Sequence, residues 1–366
     1  MNTRTGALAG LVLTSALALS ACGSDENTTS PAASGGASNI ACASGSITAA
    51  GSSAQKNAMD EWIKAYQTAC SGATINYQSV GSGAGVQQFI AGTVDFAGSD
   101  SALKDDEHAQ ADARCKTGKA IDLPMVTGPI AITYNLSGVT GLVLDAPTIA
   151  KIFSGKIATW NDPAIAALNS GTTLPSAKIQ AFHRSDESGT TDNVQKYLTA
   201  AAPKDWTYGT GKKFAAPGGQ SAKGSDGVTQ AVKSTEGAVT YTELSYAQNA
   251  SLGIAKLDTG ASSPVELTTA SAAKAVEAAT VASSGGNDLT LKIDYATKVE
   301  GAYPLILVTY EIACEKGTSA DKLALVKGFL GYTSGVDGQK ILTDLGYAPL
   351  PESIRSKVAT AVEALA

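Results

Sequence analysis

Lys178-Ile179-Gln180-Ala181-Phe182-His183-Arg184-Ser185-Asp186-Glu187-Ser188-Gly189-Thr190 is the stretch from which the fold can be read outward. Apolar residues alternate over 178–182, which suits a short strand, and Val194, Tyr197 and Leu198 fall at helical spacing within 191–200. A strand ends, an arginine and two hydroxyls gather in a glycine-containing turn, and a helix begins. The first turn of a helix leaves N–H groups unpaired and carries about half a positive charge, which suits a tetrahedral oxyanion. Arg184 adds a forked cation, and Ser188 and Thr190 add hydroxyl donors. Asp186 is placed to hold the guanidinium. The plainer reading of the same residues makes Ser188 an N-cap and Arg184 a surface charge.

The pattern recurs upstream. Residues 46–50 read as a strand, followed by Gly51-Ser52-Ser53-Ala54 and a helix with Met59, Trp62, Ile63 and Tyr66 on one face. Residues 74–80 read as a second strand, closed by Gly81-Ser82-Gly83-Ala84-Gly85 and a helix. Residues 93–98 form a third, ending in Ser99-Asp100-Ser101 before a helix over 105–113. Strand, small-residue loop and helix in repetition predict an α/β fold with a parallel sheet, whose strand-to-helix loops share one ligand-binding edge. Residues 123–136 are an apolar run long enough to pass from one lobe into another. Downstream, a Gly-rich stretch at 217–227 leads into a helix over 228–234 and a strand over 238–242. Residues 303–313 read as a long apolar strand.

The chain has 366 residues, enough for two modest cores, with a formal charge of −6 and 38 glycines. No basic patch marks a nucleic-acid binder, and with an acidic balance any anion must be captured by local donors. Arg4 and the apolar residues 7–19 form a leader too short to span a bilayer as a mature helix. It ends in Leu19-Ser20-Ala21-Cys22, which resembles the lipobox of bacterial lipoproteins, so Cys22 is the expected lipidated residue after a 1–21 signal peptide. Residues 22–46 read as a flexible tether. The expected location is the extracytoplasmic face of the cell membrane. Cys42, Cys70, Cys115 and Cys314 remain, an even number suited to two disulfides with three possible pairings. No spacing suggests a metal or another cofactor.

Four loops in order, Gly51-Ser52-Ser53-Ala54, Val80 through Val86, Val94 through Asp100 and Arg184 through Thr190, resemble those of the phosphate-binding proteins of bacterial phosphate ABC importers. So do Ile152-Phe153-Ser154-Gly155-Lys156-Ile157-Ala158-Thr159-Trp160-Asn161-Asp162-Pro163 and the tail from Tyr303-Pro304 to Pro351. The resemblance covers about residues 47–355. It implies a two-lobed periplasmic-binding-protein-like fold (type II), two α/β domains joined by a hinge with the ligand cleft between them. Residues 47–125 and 304–366 would form lobe I and 126–303 lobe II. Phosphate would be bound by Ser53, Ala54, Ser82, Asp100, Arg184, Ser188, Gly189 and Thr190, with Asp186 in support. Ser53-Ala54 stands where relatives often have Thr-Phe, and Glu187 where Gly is common. On this fold the implied disulfides are Cys42–Cys70 and Cys115–Cys314. The implied partners are inorganic phosphate, a membrane permease with its ATPase subunits, and the membrane itself through the lipid anchor.

The chemistry of Asp100 supports that assignment. Phosphate near neutral pH keeps an O–H that an acceptor-only carboxylate can receive, whereas sulfate has none. A site built to receive a hydrogen bond rejects an analogue lacking it by about 10⁴ to 10⁵. Catalysis by Ser188 with His183 as base is the rival reading, but Gly-x-Ser-x-Gly is absent around Ser188. The expectation is a binding protein and not an enzyme. The alternatives are a lipoprotein of the same fold for another oxyanion, or one with a phosphate-sensing or adhesive role.

Overall fold

The computed structural model describes residues 40–366 apart from 278 and 283–285. The leader, Cys22 and most of the tether lie outside the described residues. In chain order the elements begin with β1 (Gly45–Gly51), α1 (Lys56–Ala69), β2 (Ala73–Ser79), α2 (Ser82–Ile90), β3 (Phe96–Ser99), α3 (Asp105–Cys115) and β4 (Ala120–Asn135). Next come β5 (Val143–Asp145), α4 (Ala146–Phe153), α5 (Pro163–Leu168), β6 (Gln180–Arg184), α6 (Gly189–Ala201), β7 (Gln220–Ala222), α7 (Gly224–Lys233), β8 (Ala238–Glu243) and α8 (Leu244–Asn249). The remainder are β9 (Gly253–Ile254), β10 (Lys256–Asp258), α9 (Thr269–Glu277), β11 (Thr280–Val281), β12 (Leu291–Lys292), β13 (Ile306–Cys314), α10 (Ala320–Ser334), α11 (Val336–Asp344) and α12 (Glu352–Glu363).

Among the described residues the main sheet runs β2-β1-β3-β13-β4-β8-β6-β7, with β9 added beside β4. Parallel pairing joins β1 to β2 and β3 at one end and β6 to β7 and β8 at the other. Antiparallel β13 and β4 lie between. The apolar run read at 123–136 is β4, buried at every position but its last. Its first part, from Ala120 to Pro129, pairs with β13; Ile130 to Asn135 pair with β8. One strand therefore belongs to both ends of the sheet.

Two large apolar clusters flank this strand. The first gathers Met59, Trp62 and Tyr66 of α1 with Phe96, Val308 and Phe329. Tyr66 meets Phe329 edge-on at 5.6 Å, and Trp62 Nε1 donates to Gly338 O at 2.7 Å, so the indole is buried without an idle donor. Truncating such a residue costs about 3–5 kcal/mol. The second cluster holds Ile132, Phe153, Trp160, Tyr197 and Trp206. Ala272, Ala275 and Val276 of α9, with Leu289 and Leu291, pack into the first cluster although they lie within the 126–303 span read as lobe II.

Local signals account for the elements. Asp162 caps α5 by accepting Ala164 N at 2.9 Å, with Pro163 opening the helix. The third strand starts at Phe96 instead of 93. Disulfides join Cys42 to Cys70 and Cys115 to Cys314, as the resemblance implied.

Candidate functional site

Three helices, α2, α6 and α7, begin at adjacent places, each after a strand of the sheet. Ser82 is the first residue of α2, Gly189 of α6, and Ser225 the second of α7. Their first turns bring N–H groups and partial positive charge to one volume, where Asp100 arrives from the end of β3. Ser53, Ser82, Asp100, Arg184, Ser188 and Thr190 are each at most 3% exposed. Burial at that level removes the reading of Arg184 as a surface charge.

Arg184 ends β6. Its Nε donates to Asp186 Oδ1 at 2.8 Å, Nη2 to Asp186 Oδ2 at 2.5 Å, and Nη1 to Ser225 Oγ at 3.1 Å. Burial works against the charge of both partners, but the pairing prevails: Asp186 stays below the ordinary carboxylate range and Arg184 above its usual value. Asp186 also accepts Gly224 N at 2.9 Å and lies where a side chain on Gly81 (φ +95°) would be, 2.4 Å from its Oδ2. The two loops are packed around this carboxylate.

Asp100 accepts hydroxyls from Ser52, from Thr309 at 2.8 Å and from Ser82 at 3.0 Å. Burial pushes its carboxyl up to about 6 against the pull of those hydroxyls, with the nearby Glu243 charge adding to the rise. Ser82 Oγ also accepts Asp100 N and Gly189 N, at 3.1 and 3.2 Å. Behind Asp100, on β13, Glu311 is fully buried, and neither of its oxygens finds a hydrogen-bond partner among the described residues. The Gln55 amide, which donates to Tyr77 OH at 3.0 Å, is close enough to favour the Glu311 charge a little. Burial pushes the Glu311 carboxyl up to about 8.

Ser188 does cap α6, its Oγ accepting Thr191 N at 3.2 Å. A capping hydroxyl is an acceptor in that bond and keeps its own hydrogen to donate, so the capping and anion-binding readings coexist. Ser53 Oγ lies 2.9 Å from Ser225 Oγ, and Ala54 N donates to Ser52 Oγ at 3.0 Å. Thr190, read as a direct donor to the anion, here donates to Glu243 Oε1 at 2.6 Å. Glu187, which stands where Gly is common in relatives, turns outward to Lys213 Nζ at 3.1 Å, while its carbonyl accepts Gly83 N at 2.9 Å. His183 stacks on Phe214 at 4.1 Å, and its Nδ1 lies 3.1 Å from Arg184 O.

All eight expected site residues thus converge, with Asp186 beside them. Further residues belong to the same cluster: Ser52, Ser225, Thr309, Asn193 and Glu243. Asn193 donates to Asp100 O at 2.7 Å. Ser225 carried a signal, the Gly-rich stretch before a helix, which repeats the pattern of the other loops. Thr309 and Glu243 sit on strands and carried none.

A fold of this kind, with helix N-termini around a buried arginine and the Asp100 carboxylate, defines an oxyanion-binding protein. The family model described as "PBP superfamily domain" matches residues 36–335. Phosphate-binding protein PstS 3 of Mycobacterium leprae (strain TN) is 47% identical, covering 99% of this chain and 98% of its own. Phosphate-binding protein PstS 3 of Mycobacterium tuberculosis (strain ATCC 25618 / H37Rv) is 46% identical, covering 99% of each. The solved phosphate binding protein from Stenotrophomonas maltophilia shares the fold, with a TM-score of 0.66 at 21% identity over 87% of this chain and 94% of that one. The chain belongs to the PstS family of phosphate-binding proteins.

Proposed function

We propose that the chain captures inorganic phosphate outside the cytoplasm and delivers it to the permease of an ABC importer. The observation that carries this reading is the pairing of Arg184 with Asp186 beside Asp100, all under the first turns of α2, α6 and α7. The arginine is already matched by Asp186, so an incoming anion is stabilised chiefly by dipoles: N–H groups, hydroxyls and helix ends. Asp100 then receives the O–H that phosphate has and sulfate lacks. Ser53, Ala54, Ser82, Arg184, Ser188, Gly189 and Thr190 are the proposed donors, exchanging their present partners for phosphate oxygens.

Lobe I is proposed as residues 47–125 and 304–366, joined by the packing of α9, Leu289 and Leu291, with the rest of 126–303 as lobe II. Contacts such as Ser53–Ser225, Ser82–Gly189 and Glu107–Lys212 lie between these spans, the last an ion pair at 3.0 Å. Phosphate bridging the same spans would favour the closed arrangement of a hinge, and closure is the proposed docking signal for the permease and its ATPase subunits. Residues 1–21 and Cys22 are proposed as the leader and lipid anchor that keep the domain at the membrane. Calorimetric titration with phosphate and with sulfate near pH 7 tests the reading. Phosphate at micromolar Kd or tighter, worth about −8 kcal/mol, with no sulfate heat is expected. Equal binding of both anions removes Asp100 as discriminator, and binding of neither removes the function.

A further inference from the structure

Asp122, near the start of β4, is fully buried. Its two oxygens share Leu103 N at 3.3 and 3.2 Å, and Oδ2 lies 3.3 Å from Nε2 of the partly buried His108 on α3. Asp288 reaches the same place from the segment between β11 and β12, and its Oδ1 accepts Asp122 N at 2.9 Å. One ligand atom from each of His108, Asp122 and Asp288 lies within 4.8 Å of the other two. A helix, a strand and a connecting segment thus bring an imidazole nitrogen and two carboxylates to one point. Residues so far apart along the chain make no metal-binding spacing, which is why none is visible in the sequence.

The charges in this set do not balance. Two carboxylates face one imidazole, so a negative charge is left over when His108 is protonated and a second when it is neutral. Hydrogen bonding to Asp122 holds His108 above its ordinary value against the effect of burial, and the charges of Asp288 and Asp112 add to the rise. Asp112, one turn along α3, is engaged elsewhere: it accepts Lys119 Nζ at 2.7 Å and Ala120 N at 2.8 Å. From β13 the set is faced by Tyr310, whose hydroxyl accepts Leu291 N at 3.0 Å. A buried carboxylate with long contacts and incomplete counter-charge is costly to maintain. A dication cancels both carboxylates and leaves the imidazole neutral.

We propose that His108, Asp122 and Asp288 bind a divalent transition-metal ion, Zn²⁺ by their chemistry, as a structural brace. An imidazole with carboxylates suits zinc, whereas calcium and magnesium favour sites built of oxygen alone. Ligand atoms around a tetrahedral zinc stand about 3.4 Å apart, close to the separation of His108 from Asp122, and Asp288 closes the set by a movement of about 1 Å. Leu103 N and Asp122 N supply the outer hydrogen bonds that orient the two carboxylates. The exposed edge of His108 leaves the fourth position to water. Bound there, the ion fastens α3 and β4 to the segment that carries Leu289 and Leu291 into the first apolar cluster.

Metal titration tests this. The full chain, stripped with a chelator, is titrated with Zn²⁺ alone in phosphate-free buffer near pH 7.5, and in parallel with Co²⁺, whose visible absorption reports coordination geometry. One ion at micromolar Kd or tighter is expected, with the melting temperature raised by about 3–5 °C at a hundredfold excess over Kd. Asp288→Asn keeps an acceptor for Asp122 N, and His108→Gln alters a partly exposed side chain, so neither removes a core contact. Each is expected to weaken that ion at least about tenfold and to lose the thermal shift. Zinc held elsewhere, as by an unmodified Cys22 thiol, persists in both variants and is subtracted. Equal affinity and equal thermal shift in the wild type and either folded variant overturn the proposal. So does a wild-type chain whose melting temperature zinc leaves unchanged, which makes the three side chains a plain ion-pair cluster.

Discussion

Gly189 stands so close to Asp100 that a Cβ added to it would lie 2.5 Å from the Asp100 Cβ and 2.7 Å from its Oδ2. The glycine is needed for close approach: it lets the first turn of α6 rest on the carboxylate loop that ends β3. The two groups proposed to handle phosphate from opposite sides are held in register by the absence of one methyl. Gly189→Ala is expected to push the α6 end outward at a cost of about 1–3 kcal/mol, and to weaken phosphate binding at least about tenfold. Titration and thermal melting of the variant check this. Wild-type affinity in a folded variant would show that the contact does not set the site.

Asp100→Asn separates charge from shape. The amide retains an acceptor but turns a donor towards the anion, so sulfate no longer meets only a lone pair. The preference for phosphate over sulfate should fall by about a hundredfold or more, read from the two dissociation constants. Unchanged discrimination would move the role to another residue.

Asp186→Ala leaves Arg184 buried without its bidentate partner. Removing one side of a buried pair costs about 3–5 kcal/mol, and Arg184 at 3% exposure meets that condition. Denaturant unfolding should show the loss. Saturating phosphate, by supplying a counter-charge, should raise the melting temperature of the variant more than that of the wild-type chain. An equal rise in both would argue against direct contact between Arg184 and the anion.

Glu311 predicts a dependence of stability on pH. Its folded value, about 8, lies above the ordinary 4.5, so the folded chain binds more protons between those limits. Stability contributed by the neutral acid is complete below pH 4.5, falls as pH rises, and is lost above pH 8. Glu311→Gln, neutral at every pH, should match the wild type near pH 4.5 and exceed it near pH 8.5 by about 2 kcal/mol or more. Parallel stability curves for the two chains would contradict the desolvated placement of this side chain.

Much of the site was legible because its residues follow one local rule. Ser53, Ser82, Asp100 and Arg184–Thr190 each occupy the turn after a strand and before a helix, and parallel pairing carries such turns to a common edge. What failed to show was non-local. Thr309 lies mid-strand in an apolar run, and only the antiparallel pairing of β13 with β3 and β4 brings its hydroxyl to Asp100. Glu243 ends a buried strand, where a charge has no local explanation. Ser225 did carry a signal, the Gly-rich stretch before α7; only the strand before it, β7, was hidden, because Gln-Ser-Ala has no apolar alternation. The present partner of Thr190 was likewise hidden, since that hydrogen bond joins residues 53 apart. The α12 helix carries Ile354, Val358, Ala361 and Val362 on its buried side but lies past the last strong turn signal, Pro349-Leu350-Pro351.

The placement of β13 between β3 and β4 governs the order in which this protein can be built. The centre of the sheet joins Ala120 to Cys314 and Pro129 to Ile306, so it cannot close until nearly the whole chain is available. A polypeptide emerging from its N-terminus holds β1, β2 and β3 as a three-stranded fragment with an open edge. The thiol of Cys115 waits meanwhile for a partner 199 residues away. Such distant pairings make folding slow and leave sheet edges exposed to mispairing. The last strand added to the sheet is also the one that delivers Thr309 to Asp100, so the carboxylate acquires its full set of hydroxyls only when assembly is complete.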